Sequence, residues 1–433
     1  MRKTAYFRPV AVFTLLAVTV SCASTQLPPI SSSGAGFKPL PDEQELWEQS
    51  RDEEKQLLDK VQLYEDPLLE SYLQGVVTRL TPKGMAENPA VHYRVRVVED
   101  PTLNAFAYPH GSIYVNTGIL ARVENEDQLA TVLGHEMTHV EGRHMLRYQR
   151  AAHNKAVGLT VAAVAASVVV AGVEGDALDH GEWAKAATVD VLGNLMVSLG
   201  LGLAYMASVN GYGRGLETEA DNGGFAMMAS AGYQLNEAPK VYTALLEEHG
   251  EPKKMEAFFF GNHPRLTERI ENSKKYASVH TAAEATDRKD IDPELFARRM
   301  RPVVRDDAEL NIRVGRFKIA ENEIQKARAW MPEDPMTRVV LGHLRLAQAD
   351  VEKDEKEQRR LRTEAGDAFK EAVKLDGKRP VPHRELGLYY LNEEDYRQAC
   401  KELRRYAELA PHADDVDRVQ DYVLELKRGG HCR

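Results

Sequence analysis

The chain predicts a mostly helical α+β fold in two units, a front unit with a small antiparallel sheet and a rear unit of stacked helices. Three observations lead there. Its 433 residues exceed what one hydrophobic core usually organises. Apolar residues recur at three- and four-residue intervals through much of the chain, the mark of amphipathic helices. Tyr93, Val95 and Val97 alternate with Arg94, Arg96 and Val98, which is the two-residue period of a strand.

The first residues read as an export signal, assigned to 1–22. Arg2, Lys3 and Arg8 form a basic region, and Val10 to Val20 is an apolar stretch short for a bilayer span. The segment ends at Ser21-Cys22-Ala23-Ser24, which resembles a bacterial lipoprotein signal with Cys22 as the lipidated residue. Ordinary cleavage after Ala23 is the rival reading, because Ser21 and Ala23 are small and Thr19 stands where lipoprotein signals carry Leu. Ser, Pro and Gly from Ala23 to Gly36 predict a flexible linker over 23–42. A formal net charge of −10 argues against nucleic acid as a partner. Beyond Cys22 the cysteines are Cys400 and Cys432, and sequence leaves both a disulfide and two separate thiols open.

The front unit is assigned to 43–275. Leu46, Trp47, Leu57, Leu73, Val76 and Leu80 give it two covering helices. Strands are expected at His92 to Glu99 and, after the turn Pro109-His110-Gly111, at Ile113 to Val115. A helix follows from about Glu126 to Arg150, with Leu129, Val132, Leu133 and Met137 on its apolar side. Two uncharged stretches come next, Ala156 to Val173 and Val191 to Val209. Each reaches roughly 27 Å as a helix. Their Ala, Val and Gly composition suits a hairpin packed beside the site, and a membrane-inserted hairpin stays open as well. Residues 276–300 are a connector. From 301 to 433, Leu341-Gly342 recurs as Leu386-Gly387, and Ala320, Ala327 and Pro332 keep the order of Ala399, Tyr406 and Pro411. The pattern resembles tetratricopeptide repeats, with the charged run Glu352 to Arg362 extending one unit.

The run Gly134-His135-Glu136-Met137-Thr138-His139 carries the chemistry. Four-residue spacing puts His135 and His139 on one helical face, so both imidazoles converge on one metal ion. Glu136 projects beside them as general base for a water that zinc activates near neutral pH. A shuffle of this composition holds only roughly 0.07 copies of the pattern. Catalytic zinc takes three protein ligands and leaves a position for water. Glu217, opening Glu217-Thr218-Glu219-Ala220-Asp221, supplies the third. Asp221, one turn on, is placed to accept the outer N–H of a ligating His, while Glu219 points elsewhere.

These motifs, together with Asn104-Ala105-Phe106-Ala107-Tyr108-Pro109-His110-Gly111, Val115-Asn116-Thr117-Gly118 and His263-Pro264, resemble the CAAX-prenyl-endopeptidase superfamily of zinc metallopeptidases. The nearest likeness is to its periplasmic branch, which joins the peptidase to tetratricopeptide repeats. The resemblance implies a zincin-like metallopeptidase domain followed by a C-terminal tetratricopeptide-repeat α-solenoid. It also implies zinc held by His135, His139 and Glu217, with Glu136 as base. It brings His263 to the metal's open side, either replacing water in a latent state or donating to the oxyanion. Local packing ahead of Pro264 is the plain alternative. His110 stands where the family has a second Gly, which leaves the shape of that turn open. His144, five residues after His139 and off the ligand face, reads as structural or superficial. Arg214 reads as a contact to Asp221 or substrate, or equally as a surface ion pair.

Substrate is expected to add as an extended strand along Gly111, Ser112, Ile113, Tyr114, Val115 and Asn116, taken as a sheet edge. The whole reads as a zinc endopeptidase of the periplasm, tethered to the outer membrane through Cys22. Its substrates are unfolded or misassembled envelope proteins, and its repeats recruit targets or the outer-membrane assembly machinery. A chaperone-like binding scaffold with a latent metal centre is the alternative, against which the intact Glu136 weighs. An intramembrane prenyl-protein processing enzyme is a third reading, which the export signal and the repeats oppose.

Overall fold

The computed structural model describes residues 23–86, 88, 90–155, 202–205, 212–249, 266–280 and 291–432. Helices α1 (Pro41–Leu58) and α2 (Pro67–Leu80) open the front unit. α2 starts where Asp66 accepts from the amides of Leu68 and Leu69 at 2.9 and 3.0 Å, ahead of Pro67 in the first turn. A three-stranded sheet follows, β1 (Arg94–Val98), β2 (Ala105–Ala107) and β3 (Ser112–Asn116), in the order β1-β3-β2.

The sheet is mixed where an antiparallel one was expected: β3 runs parallel to β1 and antiparallel to β2. The cause is β2, unseen in the sequence. It reverses the chain once, the turn at Gly111 (φ 109°) reverses it again, and β3 therefore returns alongside β1. This placement also overturns the reading of residues 111–116 as a sheet edge. β3 is the central strand, with Val97 opposite Val115 on one side and Phe106 opposite Tyr114 on the other. The edge beyond it is β2. Asn116 N–H donates to Asn104 O at 2.9 Å and Tyr108 N–H to Ser112 O at 2.8 Å, so the intervening Ala105 and Ala107 turn their N–H and C=O groups away from β3. β2 packs against the helix that carries the histidines.

After α3 (Thr117–Arg122), that helix is α4 (Glu126–Glu141), capped by Asn125, whose side chain accepts from Gln128 N–H at 2.9 Å. The expected continuous run to Arg150 is broken at Gly142-Arg143. Arg143 takes φ 56° and forms a buried ion pair with Glu43 at 2.8 Å, and the chain then restarts as α5 (144–155). α6 (Arg214–Ser230) crosses α4 at Gly134 and Gly224, where the backbones come so close that a Cβ on Gly224 would lie 2.9 Å from His135 N. α7 (Ala238–His249) and α8 (Leu266–His280) close the unit.

Residues 23–42 are not the flexible spacer their composition predicts. Ile30 and Phe37 are buried, Ile30–Gly36 forms a 3-10 turn, and Ser31 bonds Glu141 at the end of α4. Arg150 binds Asp42 and the carbonyl of Ser24, both at 2.8 Å, and Asn154 binds the carbonyl of Ala23 at 2.8 Å. Apolar burial and arginine pairing outweigh the Ser, Pro and Gly content. Cys22, His263 and most of the two uncharged stretches lie outside the described residues. Among the described residues, no helix is long and apolar enough to cross a membrane.

The rear unit contains α9 (Pro293–Arg313), α10 (Phe317–Trp330), α11 (Pro335–Val351), α12 (Glu355–Leu375), α13 (Pro380–Asn392), α14 (Tyr396–Leu409) and α15 (Val416–Arg428), each packed on the next. The recurring Leu-Gly pairs mark where two helices meet closely: Gly342 faces the Phe369 ring, and a Cβ on Gly387 would lie only 2.7 Å from the Leu403 side chain. Cys400 and Cys432 form a disulfide that fastens the end of the chain to α14. The unit docks on the front through α3, where Lys326 donates to the carbonyls of Ala121 and Val123 at 2.7 Å and Arg122 lies 3.4 Å from Glu323.

Candidate metal centre

Helical geometry brings the sequence motif together as its spacing requires. Nε2 of His135 and Nε2 of His139 lie 3.1 Å apart, and Oε2 of Glu217, from α6, lies 3.4 and 3.7 Å from them. All three side chains are buried. An ion bound tetrahedrally at 2.0–2.1 Å sets its ligand atoms about 3.4 Å apart, so the three donors fit zinc in both chemistry and spacing. The backbone N–H of Tyr212 holds the other carboxylate oxygen of Glu217 at 2.9 Å, which aims Oε2 at the metal position.

The expected support for a ligand histidine is present: Asp221 Oδ1 lies 2.9 Å from Nδ1 of His135. Asp221 is itself clamped, by Arg269 Nε at 2.9 Å and by the Tyr242 hydroxyl at 2.9 Å. Burial alone would raise this carboxyl, but Arg269 and His135 beside it hold it well below the usual carboxylate range. His135 is drawn the other way. Burial and Arg269 oppose its charge, yet Asp221 and Glu217 lift the ring to about 9. Glu136 is 3% exposed, and burial pushes its carboxyl up to about 8, where a group exchanges protons readily near neutral pH.

Sequence reasoning missed four neighbours. Arg269 and Tyr242 come from helices that carry no motif, and an Arg within an amphipathic helix gives no periodic sign of facing inward. Tyr212, five residues before Glu217, packs its ring 4.5 Å from that of His139. His144 was placed off the ligand face, which holds only for an unbroken helix. The break at Arg143 swings it back, fully buried, with Nδ1 2.9 Å from Nδ1 of His139. Arg214 points outward, 3.9 Å from Glu268, so of its two readings the surface pair is correct. His110 pins the turn after β2 to α1, with Nδ1 2.7 Å from Ser50 Oγ and Nε2 2.9 Å from Glu54.

Paired histidines one helical turn apart, a carboxylate from a second helix and a buried carboxyl beside them define a metallopeptidase site. Residues 67–277 match the model of Peptidase family M48, so this part of the chain is similar to a peptidase domain of that family. The chain is 29% identical over 206 residues to the mitochondrial metalloendopeptidase OMA1 of Schizosaccharomyces pombe, covering 47% of this chain and 52% of that protein. It is 33% identical over 158 residues to the mitochondrial metalloendopeptidase OMA1 of Arabidopsis thaliana, covering 36% of this chain and 26% of that one. It is 22% identical over 235 residues to the beta-barrel assembly-enhancing protease of Yersinia pestis, covering 52% of this chain and 42% of that one. The chain thus spans about half the length, or less, of these curated relatives.

Proposed function

We propose that this chain is a zinc-dependent endopeptidase of the bacterial envelope that cleaves unfolded or misassembled envelope proteins. The observation that carries the reading is the convergence of His135, His139 and Glu217 within 4.8 Å of one another, next to the buried Glu136. Zinc, held there, would supply an activated water and polarise the scissile carbonyl. Glu136 takes the water's proton and returns it to the departing amine. Asp221, fixed by Arg269, holds His135 in the tautomer that leaves its inner nitrogen for the metal. An extended substrate adds to the outward-facing N–H and C=O groups of Ala105 and Ala107 on β2, a mode that reads backbone more than sequence and suits unfolded chains. In this reading His263 works from the metal's open side, as a latency cap or as an oxyanion donor.

Periplasmic location is supported by the export signal, by the Cys400–Cys432 disulfide, which suits an oxidising compartment, and by a relative named for β-barrel assembly. Lipidated Cys22 tethers the protein to the outer membrane. The rear helices act as tetratricopeptide repeats that recruit substrates or the outer-membrane assembly machinery. Casein cleavage by the fragment beginning at Ser24 tests the central claim. Glu136→Gln should retain zinc and lose turnover, and retained turnover would remove Glu136 as base.

A further inference from the structure

The two histidine ligands are supported from behind in different ways. His135 meets a carboxylate directly. His139 meets another imidazole, His144 Nδ1 at 2.9 Å, and that ring is 0% exposed. Nε2 of His144 in turn lies 3.5 Å from Glu219 Oε1. Both oxygens of Glu219 are held by Arg147, at 2.7 and 2.9 Å. The seat is shaped for the ring, because a Cβ on Gly142 would collide with His144, and the Tyr212 ring lies edge-on to it with centroids 6.1 Å apart.

We propose that His144 is a positioning residue for the metal ligand His139, and that Glu219, fixed by Arg147, sets the tautomer of His144. The inference rests on the reading of His135, His139 and Glu217 as zinc ligands. A neutral His139 that ligates through Nε2 carries its proton on Nδ1 and donates it. The acceptor at hydrogen-bond distance is Nδ1 of His144, so the proton of His144 sits on Nε2, facing the Glu219 carboxylate. Glu219 stabilises that tautomer, and Arg147 keeps the carboxylate in place. The two ligands then differ: His135 is backed by an anion, and His139 by a neutral ring one step removed from the charge. His139 is accordingly the weaker donor of the pair.

Zinc affinity, measured by competition with a chromophoric chelator, and the visible absorption of the cobalt-loaded protein test this without recourse to turnover. His144→Leu keeps bulk and removes the acceptor, and is expected to weaken zinc by about 10–100-fold and to shift the cobalt bands. His144→Asn returns an acceptor at the same distance from the backbone and is expected to recover most of the loss. Should His144→Leu fail to fold, Glu219→Ala takes its place. It changes a partly exposed residue, and a several-fold loss of zinc affinity at unchanged apoprotein melting temperature is expected. Wild-type affinity in folded His144→Leu, or in Glu219→Ala, overturns the proposal. Equal weakening by Leu and Asn also overturns it, because bulk and not the acceptor would then matter. Should the wild-type chain bind zinc no better than His135→Ala, the metallopeptidase reading itself fails, and this inference with it.

Discussion

The distance between the histidines and Glu217 depends on how closely α4 and α6 approach, and that approach is made possible by two glycines. A Cβ on Gly224 would lie 2.9 Å from the carbonyl carbon of Gly134 and 2.9 Å from His135 N. Non-bonded carbon atoms settle at about 3.5–4.0 Å, so Gly224→Ala requires α6 to retreat by roughly 0.6 Å at the crossing. Both obstructing atoms are backbone, so no rotamer change relieves the contact. Overpacking of this kind costs about 1–3 kcal/mol, against about 1 kcal/mol gained in helix propensity. The net loss, up to about 2 kcal/mol, lowers the melting temperature by at most several degrees. The larger effect falls on the metal. Glu217 is seven residues up the same helix, about 10 Å away, and metal–ligand distances tolerate only about ±0.2 Å. A retreat of even half the expected size takes Oε2 out of coordination, so zinc affinity should fall by at least about tenfold, as for a lost ligand-supporting contact. Gly215→Ala is the control. It lies on the same helix, its Cβ would meet nothing within 4 Å, and it should leave zinc binding unchanged while stabilising slightly. Chelator competition and thermal unfolding read both variants. Wild-type zinc affinity and melting temperature in Gly224→Ala would refute the claim that this crossing sets the site.

Further predictions concern other links in the chain. Glu217→Ala should lower zinc occupancy in elemental analysis, and full occupancy would remove Glu217 as third ligand. Ala107→Pro deletes an outward N–H on β2 without removing a bond to β3; it should raise KM for casein while zinc binding stays intact, and an unchanged KM would place substrate elsewhere. A fragment starting at Lys38 loses the buried Ile30 and the Ser31–Glu141 bond, and should melt below one starting at Ser24 by an amount matching about 2–4 kcal/mol; equal melting would mean the segment packs without consequence. His343 lies between Glu309 and Glu385 at 3.0 and 3.1 Å; burial opposes its charge, but the two carboxylates raise the ring from 6.5 to about 9. Its folded pKa is raised, so the stabilisation is complete below about pH 6.5 and is lost as pH rises through about 9. The stability gap between wild type and His343→Gln should shrink by on the order of 2–3 kcal/mol across that window, and a constant gap would refute the assignment.

What the sequence disclosed and what it withheld divide along a physical line. His135, Glu136 and His139 were legible because a helix converts a four-residue spacing into adjacency, and Asp221 because it lies one turn beyond Glu217 on a helix of its own. The paired helices of the rear unit were legible for the same reason, with Leu-Gly marking two of the close contacts. Errors arose where adjacency depends on something other than local period. β2 is three residues long, too short to show alternation, and its insertion moved β3 from the edge to the centre of the sheet. Residues 23–42 looked like a spacer because composition registers the abundant Ser, Pro and Gly, while their packing rests on a few residues: Ile30 is buried, and Ser31, Phe37 and Asp42 meet partners more than a hundred positions away. His144 shows the limit most clearly. Its five-residue offset from His139 excludes contact on an ideal helix, yet one left-handed residue, Arg143, held by Glu43 from α1, restores it. The position of a side chain beside the metal ligand is therefore set by an ion pair to the N-terminal part of the chain. Loss of the Glu43 carboxylate should thus disturb the metal centre as well as the fold, and Glu43→Gln, measured for zinc affinity beside melting temperature, separates the two. Unaltered zinc binding in a destabilised protein would show that the break at Arg143 persists without its partner.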